Sequence, residues 1–167
     1  WVSPALYNAG LCLKEIDDRA GAIARFDRLL EMRPDSPDVR DATFLLAELL
    51  VAAARWERAV ETADGLLRRE DLDTGERIEA MARRAQALFG GDSPDEAREQ
   101  AESAVMYYRS FPEEERPRDV FFVSAAAFVW AETLRTESEA IALPDAPPEV
   151  QHEALESRAR VILEAQQ

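Results

Sequence analysis

Small residues return along this chain at a fixed step, and no other feature restricts its folding as much. Gly10 is answered by Ala47 and Ala85, Leu13 by Leu50 and Leu88, Ala22 by Ala59 and Ala97, and Phe26 by Ala63 and Ala101, in steps of 37 and then 38 residues. A period of that length holds one helix–turn–helix unit. Small residues at fixed places let one helix lie close against its hairpin partner. Each hairpin then keeps an apolar face that only a stacked neighbour can cover, so the spacing predicts an array. Local signals agree. Ser3-Pro4, Ser36-Pro37 and Ser93-Pro94 each put a hydroxyl before a proline at a first helical position, where the missing N–H costs nothing. Asp73 with Glu76 and Ser93 with Glu96 have the spacing of capping boxes. Apolar residues recur at helical intervals, as in Ala22-Ile23, Phe26 and Leu29-Leu30, and no stretch reads as a strand. Helices are predicted at about 4–17, 20–33, 37–53, 56–69, 75–89, 94–109, 117–139 and 148–166.

The first unit carries Leu6, Ala9-Gly10, Leu13, Ala22, Phe26, Leu29 and Pro34. That order resembles the tetratricopeptide repeat, whose pattern runs Trp, Leu-Gly, Tyr, Ala, Phe, Ala, Pro across about 34 residues. The second unit keeps Leu46-Ala47, Leu50, Ala59, Ala63 and Leu66, with Asp71 in place of the terminal proline. The third keeps Met81, Ala85, Leu88, Ala97, Ala101 and Ala104, while Arg84 and Arg109 depart from the pattern. The resemblance covers about residues 3–110, and a divergent fourth hairpin is expected at about 117–166. It implies an all-α fold, a right-handed superhelical solenoid of about four hairpins forming one domain over residues 1–167. Each step exceeds the family length by three or four residues, which places the surplus in turns. Longer steps with Ser-Pro at the junction are similar in style to tetratricopeptide proteins of bacterial envelopes, so a periplasm-facing location is favoured over the cytoplasm.

The same resemblance implies a scaffold rather than an enzyme: one that takes a peptide or amphipathic helix of a partner in a concave groove, within a bacterial multiprotein complex. The contact positions it implies are Tyr7, Leu11, Phe44, Leu45, Arg83, Gln86, Phe121 and Phe128, a mostly apolar lining. Where relatives that grip chaperone tails carry a carboxylate clamp, this chain has Tyr7, Leu11, Leu45, Glu79 and Arg83. Only Arg83 suits a carboxylate, so a chaperone tail is not the expected ligand.

Charge narrows the partner further. Acidic residues number 34 against 20 basic ones, and the formal charge of −14 repels a phosphate backbone or an anionic membrane surface, so no nucleic acid is expected. No apolar run reaches the roughly 18 residues that span a bilayer. The chain opens at Trp1 without a methionine and reads as a segment of a longer protein. His152 stands among Glu149, Glu153 and Glu156 without a second histidine or cysteine at ligand spacing, so no metal is expected there. Cys12 has no histidine nearby in sequence to activate it. Phosphate-binding glycine loops and nucleophile elbows are missing from the sequence, and no cofactor is expected. Glu48, inside the apolar run from Leu45 to Ala54, is expected to sit in a buried salt bridge.

Residues 120–131 are apolar on every face of a helix except at Ser124, which predicts cover all round. Three sources of cover stand open: the segment inserted from Arg135 to Leu143, helices beyond Gln167, or a binding partner. After Pro144, Pro147 and Pro148, the last helix carries Val150, Ala154-Leu155, Val161-Ile162 and Ala165 as a stripe broken by Arg158. An alternative function follows: a structural module whose apolar faces pack against a second copy, as a homodimer, or against the rest of its own chain.

Overall fold

The computed structural model describes residues 2–141 and 148–164. Eight α-helices occupy them: α1 (Val2–Glu15), α2 (Arg19–Met32), α3 (Asp38–Ala52), α4 (Trp56–Leu67), α5 (Thr74–Gly90), α6 (Pro94–Arg109), α7 (Phe121–Ala140) and α8 (Pro148–Glu164). A single 3₁₀ turn lies at Glu113–Glu115, and no strand occurs among the described residues. Each helix packs against the next, giving a solenoid of antiparallel hairpins. Ala165, the segment 142–147 with Leu143, Pro144 and Pro147, and the side chains of Val150 and Ile162 fall outside the described residues.

The repeat step reappears in the backbone. Among the described residues, Asp17, Ala54 and Asp92 are the non-glycine residues with positive φ, at 60°, 53° and 61°. They are separated by the same 37 and 38 residues as the alanine skeleton and occupy the same place in each three-residue hairpin turn. Around them the hydrogen bonds repeat: Asp18, Arg55 and Ser93 donate N–H to the carbonyls of Leu13, Leu50 and Leu88 at 2.9, 2.9 and 3.0 Å. A left-handed residue followed by this wide closure is how a helix ends without orphaned carbonyls. One turn, used three times, fixes the angle between the helices of each hairpin. The connections between hairpins, residues 33–37, 68–73 and 110–120, vary in length and absorb the residues in excess of the family period.

The skeleton itself forms the core. Ala22, Ala59 and Ala97 are buried, as are Ala47, Ala63, Ala85 and Ala101. In the first hairpin Gly10 lies under the buried ring of Phe26, so close that a Cβ on Gly10 would stand 2.6 Å from Cε1. The later hairpins carry alanine at both positions. Arg84, a departure from the apolar pattern, bridges two helices instead: its Nε donates to Asp64 of α4 at 2.7 Å and its Nη1 to Gln100 of α6 at 3.1 Å. Arginine also closes helix C-termini. Arg77 donates to the carbonyls of Leu67 and Arg69, Arg19 to that of Ala52, Arg116 to those of Phe111 and Arg109, and Arg158 to that of Ile141. A cation at the negative end of a helix dipole, with a planar fork that reaches two carbonyls, suits this task.

Several sequence expectations need correction. Asp73 and Glu76 form the anticipated capping box, but Ser93 makes no side-chain cap: its φ of −117° and ψ of 65° depart from the extended conformation that Asp73 adopts at its helix start. At Ser36-Pro37 the hydroxyl does accept from the N–H of Asp38, at 3.3 Å. Ser3-Pro4 lies within the first turn of α1 rather than before it, and Ser3 Oγ donates across to Asp38 at 2.6 Å, tying α1 to the start of α3. Helix α7 begins at Phe121, not near 117, and the Asp119 carboxylate accepts the N–H of Phe121. The C-terminal end of α7, at Ala140, agrees with the helix expected to about 139, so the part of the insertion from Arg135 to Ala140 is helical.

Candidate interaction surface

Odd-numbered helices touch one another, α1 with α3, α3 with α5 and α5 with α7, whereas no even-numbered pair makes comparable contact among the described residues. The odd helices therefore line the inside of the curve. A chain of charged and aromatic side chains runs across all four. Lys14 of α1 lies 3.0 Å from Glu48 of α3. Arg83 of α5 lies 3.7 Å from the same carboxylate and 3.6 Å from Glu79, one turn earlier on its own helix. The Arg83 guanidinium sits over the ring of Phe122 on α7, 5.1 Å from its centroid. Phe122 meets Phe121 edge to face at 5.1 Å. Burial holds the Glu79 carboxyl above the usual carboxylate range, against the pull of the Arg83 cation. Burial likewise raises Tyr7, with Asp41 and Asp38 adding to the shift.

The sequence-predicted contact residues fall into four groups here. Tyr7, Leu11 and Leu45 are half-buried and pack against the first core cluster, with the Tyr7 ring edge-on to Phe26 at 6.1 Å. Phe44 is half-buried against the cluster of Ala47, Leu66 and Ala80. Arg83 and Gln86 lie on the inner side of α5, where Arg83 Nε and Gln86 Oε1 are buried and meet no hydrogen-bond partner among the described residues. Phe121 and Phe128 are open, at 64% and 65% exposure. The mostly apolar lining expected from sequence is thus broken by Lys14, Glu48, Glu79 and Arg83. Glu48 is paired as expected, but about one-third exposed rather than buried, because its partners come from neighbouring repeats instead of its own hairpin. Pairing across three helices requires positions that sequence spacing alone does not connect.

The apolar stretch of α7 is not covered all round either. Ala126 and Val129 are buried, and Phe122, Val123 and Trp130 pack with them on α5 and α6. Helix α8 approaches at Arg158, which donates to the Ile141 carbonyl, while Leu155 and Leu163 are exposed, as are Phe121, Ser124, Ala127, Phe128 and Ala131 of α7. Cys12 is exposed, and His152 is exposed with Nε2 3.2 Å from Glu156. No group of three metal-binding side chains converges among the described residues.

No curated protein matches this chain. Residues 4–36, which form α1, α2 and the start of the connection to α3, match the family model of the tetratricopeptide repeat, so the first hairpin is similar to one unit of that family.

Proposed function

We propose that the chain is a protein–protein interaction scaffold that holds a peptide or amphipathic helix of a partner against its odd-numbered helices, within a bacterial multiprotein complex of the envelope. Tetratricopeptide repeats are in general modules that bind other proteins. The observation that carries the reading is the exposed ring of Phe121, joined through Phe122 to the Arg83–Glu48–Lys14 chain on the inner side, with Phe128 exposed seven residues further along α7. Tyr7, Leu11, Phe44, Leu45 and Gln86 supply the rest of the proposed contact surface. Three or four apolar anchors contribute about 1.5–3 kcal/mol each, less roughly 2–5 kcal/mol for ordering a flexible ligand. Micromolar or weaker affinity is the expected range.

Photo-crosslinking in the source organism tests this. A photoreactive residue at Leu11 or Gln86 is expected to form covalent adducts with a partner protein, whereas one at Glu61 or Glu102, exposed on α4 and α6, is not. Adducts confined to the even-numbered helices would overturn the reading.

A further inference from the structure

We propose that Arg83 is a proton-operated latch on the inner side of the array: when Glu79 takes up a proton, the guanidinium passes from Glu79, on its own helix, to Glu48 on α3, and so ties α3 to α5. The inference stands apart from the identity of any partner. Two carboxylates share one nitrogen. Nη2 of Arg83 lies 3.6 Å from Oε1 of Glu79 and 3.7 Å from Oε2 of Glu48, so neither anion holds it at the roughly 2.7–3.2 Å usual for a hydrogen bond. Solvent offers the cation little alternative, because its side chain is only 13% exposed and the ring of Phe122 on α7 lies against it, 5.1 Å from guanidinium carbon to ring centroid. Glu79 stands one turn away on α5, whereas Glu48 belongs to the preceding hairpin. Which of the two Arg83 holds decides whether it stays within its helix or joins two hairpins.

The two acceptors are not equivalent. Burial favours the neutral form of Glu79 against the pull of Arg83, and the charges of Glu48 and Glu76 add to that preference. Glu48 is held from its other side, since Lys14 of α1 approaches both of its oxygens, at 3.0 and 3.1 Å. The other charged groups around Glu79 have partners of their own. Arg40 of α3 lies 3.4 Å from Glu76 and 3.7 Å from Asp41. Asp73 and Asp119, which line a cleft of about 230 Å³ with Glu79 and Phe122, accept the N–H groups of Glu76 and Phe121. Towards α4 and α6, Arg84 is committed to Asp64 and Gln100. Loss of the Glu79 charge therefore leaves Glu48 as the anion within reach of Arg83, and the guanidinium closes on it. Lys14, Glu48 and Arg83 then form one continuous bridge over α1, α3 and α5, so a local change of charge is read out across three hairpins.

Glu79→Gln reproduces the protonated carboxyl at neutral pH and tests the proposal without acid. In a double-mutant cycle of Arg83→Met and Glu48→Gln, read by urea midpoints at pH 7, the coupling between the two residues is expected to be at least about twofold larger in the Glu79→Gln background than in the wild type. A second measurement leaves Arg83 and Glu48 untouched. As the wild type is taken from about pH 7 to about pH 4.5, the guanidinium nitrogen resonance of Arg83 is expected to move toward the position it holds in Glu79→Gln at pH 7. Equal coupling in the two backgrounds would overturn the proposal. So would an Arg83 resonance that Glu79→Gln leaves at its wild-type position, which is the behaviour of a bridge of fixed geometry.

Discussion

Substituting Gly10 by alanine, alone and together with Phe26→Ala, separates the packing of the first hairpin from every other contribution to its stability. The new Cβ would lie 2.6 Å from both Cε1 and Cζ of Phe26 and 3.1 Å from Cδ1. Ordinary carbon contacts sit at about 3.5–4.0 Å, and the ring cannot swing aside because Phe26 is fully buried among Ala22, Leu29 and Leu50. Overpacking of this kind costs about 1–3 kcal/mol, offset by the roughly 1 kcal/mol that alanine gains over glycine inside a helix. Gly10→Ala is therefore expected to destabilise by up to about 2 kcal/mol. Phe26→Ala alone is expected to cost about 3–5 kcal/mol. In that background the clash is gone, so adding Gly10→Ala restores about 0.5–1 kcal/mol instead of costing anything. The alanine pair then matches Ala47 with Ala63 and Ala85 with Ala101 in the later hairpins. Urea unfolding followed by far-ultraviolet circular dichroism gives the four stabilities of the cycle. A coupling of about 1–3 kcal/mol, the overpacking cost itself, is expected; additivity within about 0.5 kcal/mol would refute the packing argument.

Three further outcomes are expected. Ala54→Gly relieves a left-handed alanine in the second turn and should stabilise by about 0.5–1 kcal/mol, whereas Asp17→Gly and Asp92→Gly gain less because aspartate tolerates that conformation; thermal melts decide. Asp73→Ala should cost about 1 kcal/mol through loss of the capping box, while Ser93→Ala changes stability little, since Ser93 makes no side-chain cap; equal losses would contradict the assignment. Burial raises the Glu79 carboxyl, and a group with a raised folded pKa loses its stabilising contribution as pH climbs through that value. Glu79→Gln is therefore expected to gain on the wild type as pH rises from about 4 to about 7, measured as urea midpoints, and parallel profiles would contradict this.

How much of this architecture was legible in the sequence follows from how each feature is encoded. The hairpin array was readable because glycine and alanine at fixed steps have one dominant use, close helix contact, and Ala22, Ala59 and Ala97 indeed sit in the core. The left-handed turn was not, because Ala54 gives no sign of positive φ; only the common step linking it to Asp17 and Asp92 could have exposed it. The Lys14–Glu48–Arg83 chain was equally hidden, since it joins residues of three repeats at unequal positions within each. The cover expected over residues 120–131 was overestimated for a different reason. Hydropathy marks α7 as apolar throughout, but it does not register how far α8 reaches, and that helix leaves Phe121 and Phe128 in the open.

The central claim is that polypeptide is recognised by the inner, odd-numbered helices. Its most direct measurement is a scan of photoreactive residues along the chain in the source organism. Adducts from Leu11 on α1 and Gln86 on α5, with none from the exposed Glu61 on α4 and Glu102 on α6, are the expected result. Adducts confined to the even-numbered helices, or none from any position, would contradict the claim.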